Sequence, residues 1–486
     1  PDENGRFHID SFEGKEAVEP DQLLVNIAVN VADDYYEPLY SLPYDERTFV
    51  MCCGGPSLGD HLEEIRLKVQ DPKRYLVVCS NRTGGYLLGH GIVAHAHFIL
   101  DPQQKKKYDI APGMTHKDTQ YWINVGCNPS VFAELKEQGI RPYVYLADFD
   151  IKGRAIQAVK DNLKPRRPGM MAIQGGTMAG LRAMNLADAL GFRKMEYYGF
   201  DACVRVAQGV AQPYAYEKKR GEAIITVHCD RCEAAFDTTL IFQKQVNEFT
   251  KWRFKMPWLD IEIIGGGLIS HAFDHLKEDE RAEAAKYVAH RFTPEYAALQ
   301  RTLHAEGDYG VTGKTFIPTI FHAISQLAKR LGSVSVLDYG SAAGNTLDEV
   351  RKVLLLPPTV EDHCYDPFVD GKDADPEPAD FVICTDVLEH VEPECTMAVL
   401  DHLQALTKQI IFISISLTDA NKVLADGRNA HINQRNAEFW LREIKNRFIT
   451  SEAKVVDNDF LLVVAQSITA VRDLLREQNG TDRRAA

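Results

Sequence analysis

Short runs of apolar residues recur along two stretches of the chain, and amphipathic helical patterns lie between several of them. The first stretch extends from about residue 48 to about residue 273 and contains runs such as TFVMCC, YLVVCS and YVYLADF. The second begins near residue 313 and contains VSVLDYG, DFVICTD and QIIFISIS. Alternation of strands and helices predicts largely parallel sheets with helices on both faces. We therefore expect an α/β protein with two such blocks.

The region between the two blocks is charged and has a mostly helical pattern that Pro294 interrupts. At 486 residues the chain is too long for a single hydrophobic core. We therefore predict two Rossmann-like domains with mostly parallel sheets, joined by a helical connector. The expected bounds are an N-terminal arm at 1–45, a first domain at 46–275, a connector at 276–312 and a second domain at 313–486.

Composition narrows the class of protein. Hydrophobic residues make up 45% of the chain and charged residues 26%, which is typical of a soluble globular protein. The net charge of -14 argues against general affinity for nucleic acid or for an anionic membrane surface. There is no apolar run of about 18 residues, and PDENGRFHID has no signal-peptide pattern.

The ten cysteines have no regular spacing, and Cys52, Cys79 and Cys384 lie in apolar runs. We therefore expect a reducing, cytoplasmic setting.

The clearest candidate chemistry in the second block is the stretch VLDYGSAAGNTLDEV, residues 336–350. An apolar run, an acid and a turn with two glycines lead into a helical pattern, the arrangement of a nucleotide-binding turn. Gly340 allows a sharp turn and Gly344 allows close packing at the helix start, but Ala342 occupies the place of a central glycine. Taken alone, the stretch favours an ordinary turn between a buried strand and a helix over a binding site.

Two segments downstream favour a cofactor site. HCYDP places Asp366 after the next apolar stretch, where an acid can accept both hydroxyls of a ribose. DVLEHVEPE then follows a strand and begins at Asp386. The order of glycine turn, acid and D-x-L-E-H resembles the class I S-adenosylmethionine-dependent methyltransferases. The resemblance implies an S-adenosylmethionine site at Asp338, Gly340, Ser341, Ala342, Gly344, Asp366, Asp386, Val387 and Leu388.

Only FVDGKDADPEP separates Asp366 from the next strand, so the block looks like a compact member of that family. LADGRNAH, which ends at His431, resembles a subgroup of small methyltransferases common in phage genomes. The candidate for substrate binding is Arg428, whose guanidinium can form two hydrogen bonds with an anionic or polyhydroxy group. The candidate bases are His390 and His431. The alternative is that Arg428 and His431 hydrogen-bond the backbone of a turn.

The first block carries a similar but weaker pattern. FVMCCGGPSLGD is again a strand, a glycine turn and a helix start, where Ser57 suits a phosphate. Together with asparagine and aspartate at later strand ends, it resembles the MptE-like family of pterin diphosphokinases and Maf flagellin-glycosylation proteins over roughly residues 49–272. The resemblance implies a nucleotide or nucleotide-sugar site at Gly54, Gly55, Ser57, Asn81, Asp101, Gly175, Gly176, Thr177 and Asp201. Asp101 and Asp201 could hold Mg²⁺ against a diphosphate. The alternative is a Rossmann-like scaffold whose glycines serve packing.

Other histidines and cysteines give weaker signals. VHCDRCEAAF suggests zinc ligands at His228, Cys229 and Cys232, but one C-x-x-C with no second pair is a poor site. The alternating apolar and polar residues on either side of it predict a β-hairpin with Asp230 and Arg231 in the turn. The histidines at positions 90, 95 and 97 are expected to be satisfied polar or core groups rather than ligands.

The expected joint function is O-methylation of a glycan or nucleotide-linked small molecule, fused to a glycosyltransferase-like or diphosphokinase-like activity. One alternative is a binding or virion-associated protein whose two blocks catalyse no reaction. Another is a pterin or nucleotide diphosphokinase as the main activity. A nucleic-acid methyltransferase is disfavoured, because the chain is acidic and lacks an N-P-P-Y or D-P-P-Y string. The oligomeric state is left open.

Overall fold

The computed structural model describes residues 20–147, 170–176, 178–204, 224–284, 286–305, 316–342 and 360–475. The chain divides into two compact units, Pro1–Glu278 and Asp279–Ala486. The helices are α1 Pro20–Asp33, α2 Leu62–Val69, α3 Thr83–Gly89, α4 Pro129–Glu137, α5 Ala179–Ala189, α6 Leu240–Lys255, α7 Leu268–Ala284, α8 Pro294–Ala305, α9 Ile317–Leu331, α10 Thr396–Leu406 and α11 Ala437–Lys445.

The strands of the first unit are β1 Glu37–Pro38, β2 Asp45–Cys52, β3 Tyr75–Ser80, β4 Ala96–Ile99, β5 Gln120–Asn124, β6 Tyr143–Ala147, β7 Ala172–Ile173, β8 Phe192–Tyr198, β9 Ile225–His228, β10 Ala235–Thr238 and β11 Asp260–Ile264. Nine of them form one parallel sheet in the order β1-β6-β5-β4-β3-β2-β8-β11, in which β7 also pairs with β6. β9 and β10 form a separate antiparallel hairpin.

Strands covered on both faces explain the near-continuous apolar runs of this unit. In β2, Phe49 and Met51 enter one core, with residues of α5, α6 and α7, while Val50 and Cys52 enter the core on the opposite face. α1 packs in a third core beside α4. Its Asn30 side chain donates hydrogen bonds to the backbone oxygens of residues 125 and 127. Residues 20–45, predicted as part of an arm, are therefore packed onto the sheet, because α1 has a buried apolar face that the overall acidity of the segment conceals.

The strands of the second unit are β12 Val334–Tyr339, β13 Val360–Tyr365, β14 Ala379–Thr385, β15 Thr407–Ser416, β16 Phe448–Val456 and β17 Phe460–Ser467. They form one sheet in the order β13-β12-β14-β15-β17-β16. β12 to β15 are parallel, and β16 and β17 are antiparallel to their neighbours. α10 and α11 cover one face and α9 the other. Residues 366–378 connect β13 to β14 without a helix or strand, as the compact pattern predicts.

The predicted fold class is confirmed: the protein is α/β, with one large parallel sheet and a second, mostly parallel sheet. Cys52, Cys79 and Cys384 are buried in strands, as their apolar neighbours predict. Among the described residues, none of the helices combines the length and the apolar character that a bilayer crossing requires.

Candidate functional site

A cavity of the second unit has a volume of about 750 Å³ and lies at the carboxyl ends of its parallel strands. In open α/β sheets this edge is where ligands bind. Residues from all three predicted segments line the cavity: Gly340 and Ala342 after β12, Asp366 after β13, and Asp386 and Val387 after β14. Segments at least twenty positions apart in sequence are thus brought to a single opening.

The turn after β12 is held by hydrogen bonds to the neighbouring strand. The backbone N–H groups of Gly340 and Ser341 both donate to the Tyr365 carbonyl, and the Ala342 N–H donates to Asp366 Oδ2 at 2.9 Å. Ala342 has a φ of +43°, in the left-handed region that favours glycine. The alanine therefore adopts a backbone conformation that favours glycine, at a cost of about 1 kcal/mol.

Glycine at position 340 has a steric reason. Its φ is +72°, and a Cβ placed on it would collide with the side chain of Val387. The turn after β12 and the segment after β14 are therefore in direct contact.

Not all residues predicted for this site face the cavity. Asp338 is buried within β12, and Leu388 belongs to the hydrophobic core on one face of the sheet. Gly344 lies outside the described residues.

Two acids of the DVLEHVEPE segment, Glu389 and Glu392, make different contacts. The fully buried Glu389 accepts a hydrogen bond from the Ser416 N–H through Oε1, while its Oε2 has no hydrogen-bond partner among the described residues. Burial and the nearby Asp386 raise the pKa of Glu389 to about 8. Glu392 instead accepts from the N–H and hydroxyl of Thr293, immediately before α8 begins. The motif therefore shapes one wall of the cavity and also anchors α8.

The two candidate bases meet at the cavity wall, with ring centroids 4.7 Å apart. His390 Nδ1 donates to the Ala430 carbonyl and His431 Nδ1 to the Thr418 carbonyl, since a carbonyl can only accept. In the neutral form of each ring Nε2 is therefore the acceptor nitrogen. Burial, together with the nearby His431, lowers the pKa of His390 to about 3, so His390 is neutral at pH 7.

Arg428 pairs with the side chain of an acid in its own turn. Its guanidinium forms an ion pair with Asp426, with an NH2-to-Oδ2 distance of 2.8 Å, and does not line the cavity. Asn429 ties the same loop to residue 420 through hydrogen bonds in both directions.

Sequence reasoning missed the aromatic wall of the cavity. Tyr296 and His304 of α8, together with the nearby Phe368, line it, although α8 falls in the predicted connector. Arg291 also lines it and donates to the Tyr365 hydroxyl. The available signal was the i, i+4, i+8 spacing of Tyr296, Gln300 and His304, which places three polar-tipped side chains on one helix face.

In the first unit the counterpart is a cavity of about 490 Å³ that Ser57 and Asp201 line. The Ser57 N–H donates to Asp201 Oδ2 at 2.8 Å, and its hydroxyl donates to Oδ1 at 2.7 Å. Both side chains are buried. Residues 144 positions apart in sequence therefore form one polar pair at the ends of β2 and β8.

Glycines enclose this pair. A Cβ at Gly55 or at Gly267 would collide with Asp201, and one at Gly265, whose φ is +137°, would press on the Ser57 hydroxyl. Sequence reasoning identified the glycines at 54 and 55 but not the run at 265–267, although IIGGG after an apolar strand is the same signal.

The other residues predicted for this unit are spread along the sheet edge. Asn81 follows β3 with a φ of +48°, and its carbonyl accepts from His97 Nε2. Gly175 and Gly176 follow β7, at the opposite end of the sheet, and pack against α5 and Glu248. Gly54 lies in the bend after β2, and Thr177 lies outside the described residues.

The predicted Mg²⁺ pair requires correction. Asp101 follows β4 and Asp201 follows β8, and the order β4-β3-β2-β8 separates them by three strand spacings. At about 4.8 Å per spacing this is roughly 14 Å, too far for both carboxylates to bind one ion at about 2.1 Å. Asp101 Oδ1 instead accepts from the backbone of Gln103.

The structure also shows where the histidines at positions 90 and 95 and the predicted hairpin lie. Both ring nitrogens of His95 bind backbone groups, Val77 N–H and Val69 carbonyl, and His90 Nδ1 contacts the Tyr86 carbonyl. The β9–β10 hairpin is confirmed, but its turn is longer than the two residues predicted. His228 pairs with Ala235, so six residues form the turn.

One of the comparisons with known proteins supports the MptE-like resemblance of the first block. The model of the MptE-like family, described as 6-hydroxymethylpterin diphosphokinase MptE-like, matches residues 21–206. No curated protein matches the chain. Among solved structures, the Maf glycosyltransferase from Magnetospirillum magneticum AMB-1 is 14% identical with a TM-score of 0.38, over 71% of this chain and 52% of that one. This chain therefore spans about half the length of that protein.

Solved methyltransferases are also similar to the C-terminal part of the chain. The 1,6-didemethyltoxoflavin-N1-methyltransferase of Burkholderia thailandensis is 18% identical over 36% of this chain and 89% of that one, with a TM-score of 0.26. A SAM-dependent methyltransferase from Aquifex aeolicus is 14% identical over 35% and 98%, with a TM-score of 0.24. These values are too low to carry an argument about activity.

Proposed function

We propose that the second unit binds S-adenosylmethionine in the cavity after β12, β13 and β14 and is a methyltransferase. The observation that carries this proposal is the convergence of the Gly340–Ala342 turn, Asp366 and the Asp386–Val387 segment on one cavity. Its volume of about 750 Å³ suits a cofactor of this size.

The residues present fit such a cofactor. Asp366 is buried to 4% exposure, and each of its oxygens accepts one backbone N–H, from Ala342 and from Phe368, which leaves lone pairs for two hydroxyls. Ser341 is buried between two lining residues, Gly340 and Ala342, but does not itself line the cavity. Aromatic side chains such as Tyr296 and Phe368 offer flat surfaces for a planar base. When bound, S-adenosylmethionine supplies a methyl group activated by a sulfonium.

The chain itself must then align the acceptor and remove one proton. We assign the proton-accepting role to His431 rather than His390, because the depressed pKa of His390 makes it a weak base. His431 lines the cavity, and its Nδ1 hydrogen bond orients Nε2 as the accepting nitrogen. The acceptor that we propose is a hydroxyl of a glycan or of a nucleotide-linked small molecule.

The test is isothermal titration of the full chain with S-adenosylmethionine and S-adenosylhomocysteine. We expect the wild type to bind both and Asp366→Ala to lose binding at least tenfold. Asp370→Ala is the matched control, because Asp370 is an exposed acid in the same loop and does not line the cavity. Absence of binding by the wild type would refute the proposal, as would equal losses in the two variants.

The cavity of the first unit favours a second candidate function, nucleotide or nucleotide-sugar binding. It lies at the carboxyl ends of β2, β8 and β11, and the MptE-like match covers β2 and β8. Gly266 lines this cavity without a side chain and has open space where a Cβ would lie, which permits close approach by a ligand. A transfer reaction in this unit and methyl transfer in the second would make the chain bifunctional.

A thermal-shift panel of CMP-, UDP- and GDP-sugars and ATP, with and without Mg²⁺, tests this candidate. We expect one member to raise Tm in the wild type and not in Ser57→Ala. A flat response across the panel would favour the scaffold interpretation of this unit. Binding of ATP together with a hydroxymethylpterin would favour the diphosphokinase alternative.

A further inference from the structure

Outside the two cavities, one group of side chains in the first unit has the composition of a metal site. Cys229 and Cys232 come from the turn between β9 and β10, and His271 and His275 come from α7. One ligand atom from each residue lies within 4.8 Å of all the others. The C-x-x-C pair thus has the second pair of ligands that it lacks in the local sequence.

The distances suit a tetrahedral ion. Cys229 Sγ lies 3.3 Å from His275 Nε2, and Cys232 Sγ lies 3.5 Å from His271 Nε2. Zinc bonds of about 2.3 Å to sulfur and about 2.0–2.1 Å to nitrogen place tetrahedral ligands roughly 3.3–3.8 Å apart. The four side chains therefore need only small movements to surround one ion.

The secondary structure presents the ligands in a suitable way. His271 and His275 are four residues apart, so they lie on one face of α7, and their ring centroids are 4.6 Å apart. The two cysteines are separated by two residues in a turn closed by the Cys229 N–H to Ala234 carbonyl hydrogen bond. C-x2-C and H-x3-H are the spacings found in structural zinc sites.

A carboxylate behind the cluster orients one of the histidines. Glu278 Oε2 accepts from His275 Nδ1 at 3.1 Å, which directs Nε2 toward the cysteines. Arg231, in the hairpin turn, binds the same carboxylate at 3.0 Å. A carboxylate behind a metal-binding histidine is a common feature of zinc sites.

We propose that Cys229, Cys232, His271 and His275 bind one Zn²⁺ ion that fastens the β9–β10 hairpin to α7. Two thiolates and two imidazoles select zinc over magnesium or calcium, and four protein ligands leave no open position, so the site is structural.

The zinc site also has a consequence for the neighbouring cavity. Thr226, Phe236 and Asp237 of the hairpin line the 490 Å³ cavity, and the Phe236 ring lies 5.1 Å from that of His271. α7 begins directly after Gly267 of the same cavity. The ion therefore holds a wall of this cavity in place, and its binding does not depend on what the cavity takes up.

The test is the zinc content of the full chain, purified without chelator and measured by inductively coupled plasma mass spectrometry. We expect about one zinc per chain in the wild type, as for a closed four-ligand site. Cys232→Ser and His275→Ala should lose it. The controls His228→Ala, an exposed neighbour in the hairpin, and Cys364→Ser, in the other unit, should retain it.

A second measurement covers the case in which the ligand variants fold poorly. Chelation should lower the wild-type Tm reversibly, and Co²⁺ added to the chelated chain should give the visible bands and thiolate charge-transfer absorption of a tetrahedral site. A chain that contains no zinc and takes up neither Zn²⁺ nor Co²⁺ when reduced would overturn the proposal. A Cys229–Cys232 disulfide in the isolated protein, or loss of zinc in His228→Ala, would do the same.

Discussion

The two units solve the same problem differently at the carboxyl edge of a parallel sheet. In each, a turn after one strand donates a backbone N–H to an acid after a neighbouring strand, Ser57 to Asp201 at 2.8 Å and Ala342 to Asp366 at 2.9 Å. In the first unit the serine hydroxyl engages the other carboxylate oxygen as well, and glycines close around the acid. In the second, the acid lines a large aromatic cavity.

This difference shows that an acid at a strand end has no fixed role. Asp201 organises the turn that surrounds it, because two donors of one serine and the backbone of Gly267 enclose it. Among the described residues, the hydrogen-bond donors to Asp366 are backbone N–H groups, and Asp366 keeps a face toward the cavity. Ligand binding at Asp366 therefore needs no rearrangement of side-chain hydrogen bonds, whereas direct binding at Asp201 would compete with Ser57.

The largest expected effect is that of Gly340→Ala, which combines positive φ with a collision against Val387. We expect the second unit to lose about 2–4 kcal/mol of stability and S-adenosylmethionine binding to disappear. Calorimetry and isothermal titration measure the two effects. Gly371→Ala is the control, since its φ is +81° but a Cβ there meets nothing within 4 Å. If both variants behave alike, backbone strain alone governs the turn.

Gly267→Ala tests the enclosure of Asp201 in the first unit. A Cβ there would meet the backbone of Asp201, so we expect a loss of about 1–3 kcal/mol, seen as a lower Tm of this unit by calorimetry. Gly266→Ala, one residue away, has open space around its Cβ and should change stability by less than about 0.5 kcal/mol. Equal effects at the two positions would contradict the enclosure.

Glu389→Gln tests the buried acid of the second unit. The folded state raises the pKa of Glu389 from 4.5 to about 8, so it favours the protonated form. The stabilising contribution is complete below about pH 4.5 and is lost as the pH rises toward 8. Glutamine cannot ionise, so the variant escapes this loss. Between pH 5 and pH 8 the free energy of unfolding of the wild type should therefore fall by about 1 kcal/mol or more relative to that of Glu389→Gln.

Thermal unfolding across this pH range measures the difference. Glu394→Gln, an exposed glutamate in the same segment, should keep the wild-type pH dependence. An unchanged slope in Glu389→Gln would mean that Glu389 is ionised in the folded protein.

The smallest expected effect is that of Ala342→Gly. Glycine adopts a φ of +43° without the steric cost of a Cβ but loses more chain entropy on folding, so we expect a net gain of about 0.5–1 kcal/mol. The Ala342 N–H bond to Asp366 should persist, and S-adenosylmethionine affinity should stay within twofold of wild type. A loss of stability would show that the alanine side chain itself contributes packing at the turn.

Several features followed from the sequence because they depend on short-range chemistry. The parallel strands around Asp366 and Ser57 follow from apolar runs that alternate with helices, and carboxyl ends of such strands necessarily share one edge. The glycine requirement at position 340 follows from the turn. For Arg428 and His431 the sequence could not distinguish substrate binding from hydrogen bonding within the turn, because the same residue types serve both roles.

Other features were decided only by the tertiary structure. The strand order separates Asp101 from Asp201, the packing of α8 adds Tyr296 to the cavity, and the docking of the hairpin on α7 joins Cys229 to His271 across 42 positions of the chain. Periodicity and turn chemistry describe which face of an element is buried and where it ends. They carry no information about which distant element packs on that face, since this depends on the fit of whole surfaces. The sequence thus determined the two sheets and the edges where chemistry gathers, and the tertiary structure decided which side chains meet there.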